Sequence, residues 1–137
     1  MRKVEAGMVC AIHGAIHSDK SGRIYSCGNT SVDIIHEGVR NTYTYNRYIE
    51  VNLHGNTIAT IYPDLNRIKL SDCGYETATT KSRLNVLLDC FTDESRVNQA
   101  QHFWYIGTEL WPGTVTVSFC HKHPDDCWQV KQALKLA

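Results

Sequence analysis

The chain has no charge of one sign to spare. Lys plus Arg and Asp plus Glu each come to 14 of 137 residues, so no global basic field draws in a polyanion, and nucleic-acid contact would have to come from a local patch. Long nucleic acid is not favoured as a partner. Prolines number only three and no low-complexity tract interrupts the sequence, which excludes a Pro-rich linker or a disordered tail as the main content. No apolar run approaches the roughly 18 to 20 residues that span a bilayer. VEAGMVCAIHGAIH, near the N-terminus, has Glu5 and two histidines inside it and lacks the continuous apolar centre of a signal peptide. The expectation is a soluble, cytoplasmic protein with no membrane contact.

Ready-made catalytic signatures are missing too. There is no G-x-S-x-G, no H-E-x-x-H, no phosphate loop of the GKS or GKT kind and no repeated H-x-T or H-x-S pair. His54, between Asn52 and Asn56, and His36, beside Glu37, are the histidines that could act on a phosphodiester. The expectation leans away from an enzyme, with no catalytic residue assigned and no cofactor. What is present is an ordinary globular composition, 42% hydrophobic and 20% charged. A chain of this size forms one domain over 1–137 and can bury about two-thirds of its unfolded surface. The six cysteines are read as buried thiols that pack as small apolar residues.

Hydrophobic spacing then assigns the elements. Val4, Met8, Ala11, Ile12, Ala15 and Ile16 recur at three and four residues, so Lys3 to about His17 is an amphipathic helix. SDKSGRIYSCG, at Ser18 to Gly28, has the composition of an exposed connection, and TSVDIIH after it is a strand. From Thr42 to Leu70 the period becomes two. HGN at His54 to Asn56 and PDLN at Pro63 to Asn66 divide that region into three strands of an antiparallel meander. TDESRVNQAQ reads as a loop, HFWYI and TVTVSF as two strands across a WPG turn, and Asp125 to Ala137 as a short closing helix. The fold class is α+β: an antiparallel sheet of about five or six strands, with the N-terminal helix and a central helix packed on one face.

The central helix starts in SDCGYETATTKSRLNVLL, Ser71 to Leu88. It is expected to begin near Thr80 and run to about Phe91, with Leu84, Leu87, Leu88 and Phe91 on the face that meets the sheet. Its first turn would offer unpaired backbone N–H groups beside Thr79, Thr80, Lys81, Ser82 and Arg83, a setting suited to an anionic oxygen. Hydroxyls here are explained equally well as helix caps. The two cations are not, because positive charge at a helix N-terminus opposes the dipole. The candidate ligand site is therefore Thr79 to Arg83 for phosphate, with Tyr75 and one of Tyr43, Tyr45 or Tyr48 available to stack on a base.

Two further clusters carry metal-binding residue types. Cys120, His121, His123 and Cys127 lie within eight residues but lack the paired spacings of zinc sites, and Cys10, His13 and His17 share a helix face. Both are read as incidental, and no metal is expected.

Gly28-Asn29-Thr30, VNLHGNTIATI at Val51 to Ile61, SDCGY at Ser71 to Tyr75 and TTKSRLNVLL at Thr79 to Leu88, followed by HFWYI, resemble a group of small proteins encoded by tailed bacteriophages. The likeness covers about residues 8–106; about 107–137 is an unmatched C-terminal extension. The resemblance implies a phage accessory protein acting in the host bacterial cell, where such proteins often counter host defence. The leading expectation is a binding protein that sequesters a phosphate-bearing, nucleotide-derived signal, enclosed in a homo-oligomer. The alternatives are a protein–protein inhibitor of a host defence enzyme or nuclease complex, acting through a sheet edge or the extension, and a phosphodiesterase that degrades the signal.

Overall fold

A computed structural model describes residues 1–120. Helix α1 (Lys3–Ala15) is followed by β1 (Gly22–Cys27), β2 (Thr30–Glu37), β3 (Asn46–Leu53), β4 (Asn56–Tyr62), a 3-10 turn (Pro63–Leu65) and β5 (Arg67–Ser71). Helix α2 (Ala78–Phe91) comes next, then β6 (Val97–Ala100), β7 (Phe103–Ile106), β8 (Glu109–Leu110) and β9 (Thr114–Ser118). Six strands form one antiparallel sheet in the order β1-β2-β3-β4-β5-β9, and β6-β7-β8 form a second, small sheet. The α+β class is as the sequence indicates. Among the described residues no helix is long and apolar enough to cross a membrane.

Period-two patterning explains the large sheet. Val32, Ile34, Ile49, Val51, Ile61, Ile68 and Leu70 are all but inaccessible to solvent, while most alternate positions of the same strands, such as Asp33, Glu50, Thr60 and Lys69, are polar. Helix α1 lies against β1 and β2, α2 against β4, and the helices touch each other. Met8, Val9 and Ile12 of α1 and Leu84, Leu87, Leu88 and Phe91 of α2 complete the core. Each large apolar side chain buried there contributes about 1.5 to 3 kcal/mol before entropy is subtracted. The β3–β4 hairpin turns on His54 and Gly55, with φ of 53° and 79°. Positive φ at both central residues is what a tight two-residue turn needs to match the strand twist.

Three local expectations are corrected. Residues Gly22–Cys27 form an edge strand inside the stretch read as a connection; four of its six residues are exposed, so it lacks the apolar alternation that would reveal it. Val97–Ala100, inside the stretch read as a loop, pairs with β7. Its anchor is a side chain: Asn85 of α2 donates from Nδ2 to the Val97 carbonyl at 3.0 Å and accepts the Val97 N–H at 2.6 Å. Strands β7 and β9 do not pair across WPG but belong to different sheets. Of the described cysteines only Cys90 is buried, and Cys27 is exposed. The closing helix expected at Asp125 to Ala137, like His121, His123 and Cys127, lies outside the described residues. No three His, Cys, Asp or Glu side chains come together as a metal set among those described.

Candidate functional site: a cleft over the start of the central helix

The segment between β5 and α2 is built from short-range bonds that a sequence of Asp, Gly and Thr favours. Asp72 Oδ1 accepts the Gly74 N–H at 2.8 Å, and the Asp72 carbonyl accepts the Tyr75 N–H at 2.9 Å. Below the segment, the Trp111 indole donates to Asp72 Oδ2 at 2.8 Å, and Asp72 itself is only 7% exposed. The loop is thus pinned from beneath and lifts Tyr75, 58% exposed, into solvent.

Helix α2 begins two residues earlier than expected. Thr77 is its cap, accepting the Thr80 N–H on Oγ1 at 3.1 Å, and the Thr77 carbonyl takes the Lys81 N–H at 3.0 Å. The amides of Ala78 and Thr79 start the helix and have no helical carbonyl a turn behind them. The helix start borders a cleft of about 480 Å³ lined by Leu53, His54, Asn56 and Ile58 of the β3–β4 hairpin, Asp72, Cys73 and Tyr75 of the loop, and Thr77, Thr79 and Thr80 of α2 and its cap. The Cys73 thiol is turned to the Thr57 carbonyl at 3.0 Å. Hairpin and neighbouring turn are tied together by the His54 N–H, which donates to the Asn29 carbonyl at 2.8 Å.

The six expected ligand residues do not all converge. Tyr75, Thr79 and Thr80 line the cleft, and Lys81, half-buried one residue on, does not. Ser82 and Arg83 face the opposite way. Ser82 Oγ donates to Glu5 Oε2 at 2.6 Å, Arg83 Nη1 reaches the same oxygen at 2.8 Å, and Arg83 Nε donates to Thr30 Oγ1 at 3.2 Å. Arg83 is 6% exposed and Glu5 1%. The Arg83 cation, which opposes the dipole at the helix start, is thus matched by a carboxylate from α1. A sequence signal for this existed: Glu5 stands three residues before Met8 and seven before Ile12, on the apolar arc of α1, and Arg83 is four residues before Leu87 on that of α2. Two opposite charges on facing apolar arcs are candidates for a buried pair. Of the sheet tyrosines, Tyr48 hydrogen-bonds Glu37 at 2.6 Å, Tyr45 bonds His36 and Tyr43 is fully exposed; none lines the cleft. His54 and Asn56 were not expected there, because only the tertiary fold brings the hairpin to the helix start.

His54 also borders a second hollow of about 580 Å³ on the open face of the sheet, with Arg23, Glu50 and Asn52 among its lining. Arg23 pairs with Asp33 at 3.0 Å, Asn52 donates to Asp33 at 2.9 Å and Thr57 donates to Asn52 at 2.7 Å, so these three lining side chains are already engaged within the sheet.

Fold and cleft together define a small α+β protein with one hollow that joins an aromatic ring, a histidine and a helix start. A family model described as the Kyanoviridae Gp96 protein matches residues 1–123, and the chain belongs to that family of phage proteins. None of the curated proteins and none of the solved structures compared with the chain matches it.

Proposed function

We propose that this phage protein binds a small molecule bearing an anionic, phosphate-like group in the cleft over α2. The observation that carries the reading is the convergence, around about 480 Å³, of the helix start, the exposed Tyr75 ring and the His54 imidazole edge. An anionic oxygen would sit on the first-turn amides with the Thr79 hydroxyl, and a base or other flat group would lie against Tyr75. Lys81 adds positive charge nearby, while Ser82 and Arg83 serve the core. In a phage chain, sequestering a nucleotide-derived signal in this way would counter host defence.

Calorimetry and thermal melting with cyclic oligonucleotides and ADP-ribose derivatives test the reading. Heat of binding and a raised melting temperature with one of them are expected, with the affinity and the shift in melting temperature both reduced in Tyr75→Ala. No heat from any of them, with an unchanged melting temperature, overturns it. Recovery of intact ligand from the heat-denatured complex separates sequestration from hydrolysis.

A further inference from the structure

Strand β9 closes one side of the large sheet, and among the described residues no strand lies on its outer edge. The ladder with β5 decides which backbone groups face that edge. The Phe119 N–H donates to the Asn66 carbonyl at 2.9 Å and the Asp72 N–H to the Gly113 carbonyl at 3.0 Å. Between them Arg67 faces Ser118, Lys69 faces Thr116 and Ser71 faces Thr114 with no register shift. Bonded and non-bonded pairs alternate along an antiparallel ladder, so Val115 and Val117 exchange bonds with β5. The N–H and C=O groups of Thr114, Thr116 and Ser118 therefore point outward. No backbone partner among the described residues takes them up.

The two edges of this sheet are treated differently. At the far side, β1 carries Arg23 and a register irregularity between Arg23 and Tyr25, devices that discourage strand addition. β9 reads TVTVS and has no charge, no proline and no bulge. Beneath its edge runs a groove of about 560 Å³, in which Val115, Val117 and Ile106 face Glu94 and Ser95. Both valines are half-buried in the single chain.

We propose that β9 is the interface between two copies of this chain, pairing antiparallel with its own counterpart about a two-fold axis at Thr116 so that two six-stranded sheets become one. The strand is self-complementary in this register. Thr116 meets Thr116, and Thr114 meets Ser118 of the second copy, so every outward group lies opposite another outward group and each pair closes two bonds. A slip of one residue would set outward groups against those already bonded to β5. The exposed hydroxyl side chains then form Thr–Thr and Thr–Ser cross-strand pairs, which are favourable neighbours on a sheet face. On the groove side Val115 of each copy meets Val117 of the other, removing from water apolar surface that the single chain leaves half open. A net charge of zero sets no overall repulsion between copies. This interface stands on the sheet edge alone and is independent of any ligand.

Sedimentation equilibrium of the full chain over a concentration series tests it. The wild type is expected to dimerise, and Thr116→Pro to weaken the dimer at least tenfold. That substitution removes an outward N–H while leaving the bonds of Val115 and Val117 to β5 in place. Should Thr116→Pro fail to fold, Thr116→Cys replaces it. Directly opposed residues of a bonded pair have Cα atoms about 5.5 Å apart, within disulfide reach, so mild oxidation should yield a covalent dimer joined through the introduced thiols, as mapped by mass spectrometry. A wild type that stays monomeric at every concentration overturns the proposal, and so does a dimer that Thr116→Pro leaves intact or that Thr116→Cys does not cross-link at that position.

Discussion

Glu5 and Arg83, 78 residues apart in sequence, meet at 2.8 Å in the seam between the two helices, with both side chains almost closed to solvent. The Ser82 hydroxyl and the Arg2 N–H, at 3.0 Å, satisfy the same carboxylate. Removing one partner would strand a buried charge, which costs far more than the pair itself contributes. Arg83→Ala is expected to lower stability by about 3 to 5 kcal/mol, read from urea midpoints. The double variant Glu5→Gln with Arg83→Met should recover most of that loss.

The same pair sets a pH dependence. Burial pushes the Glu5 carboxyl upward, but hydrogen bonds from Ser82, the Arg2 backbone and Arg83, with the Arg83 charge, outweigh it and hold its pKa below 4.5. A carboxylate with a depressed folded pKa contributes stability that is fully present above the unfolded value and is lost as pH falls through the folded one. Melting temperature should therefore decline as pH drops below about 4.5, and Glu5→Gln should show a flatter acid limb in the same scan.

Glu50 has the opposite sign. Burial, then the nearby Asp33 and Glu37, push its carboxyl up, so the folded state disfavours its ionised form at neutral pH. Glu50→Gln is expected to stabilise the protein at pH 7 by less than about 1 kcal/mol. The gain should disappear in acid, where the wild-type side chain is protonated in both states; calorimetric scans at the two pH values check both halves.

Asp72 supports the cleft from below through the Trp111 indole and the Gly74 amide. Asp72→Ala leaves a buried indole N–H without its acceptor, a loss of about 1 to 3 kcal/mol. Tryptophan emission should shift to the red as Trp111, 6% exposed in the wild type, gains access to water.

At the cleft itself the two candidate groups should separate. Tyr75→Ala is expected to weaken binding of a base-containing ligand by about 1 to 3 kcal/mol without changing the melting temperature, because its ring is exposed. Lys81→Ala, whose side chain stands outside the lining, should weaken it only slightly and in a salt-dependent way. Titration calorimetry at two ionic strengths distinguishes them.

Most of the fold was legible because its periods are strong. Leu84, Leu87, Leu88 and Phe91 read as a helix face and are fully buried, and the HGN turn between two alternating runs forms the expected hairpin. What escaped had no such pattern. Gly22–Cys27 is a mostly exposed edge strand, and Val97–Ala100 is a strand because a side chain, Asn85, holds it at Val97. At the site, Tyr75, Thr79 and Thr80 line one cleft. Ser82 and Arg83 could not be placed from spacing alone: helical position sets the direction in which a side chain leaves the axis, while its partner lies on another element.

By itself the sequence determined the local elements: two amphipathic helices, an antiparallel meander with its turns, and a helix start rich in hydroxyls. Those follow from side-chain periodicity and from the φ preferences of a few turn residues, which act over short chain distances. Only the tertiary structure decided that Arg83 answers Glu5, that β7 and β9 part into different sheets, and that His54 stands over the start of α2. Each of these depends on contacts between residues far apart in the chain, where burial and charge pairing across the fold outweigh what any local stretch prefers.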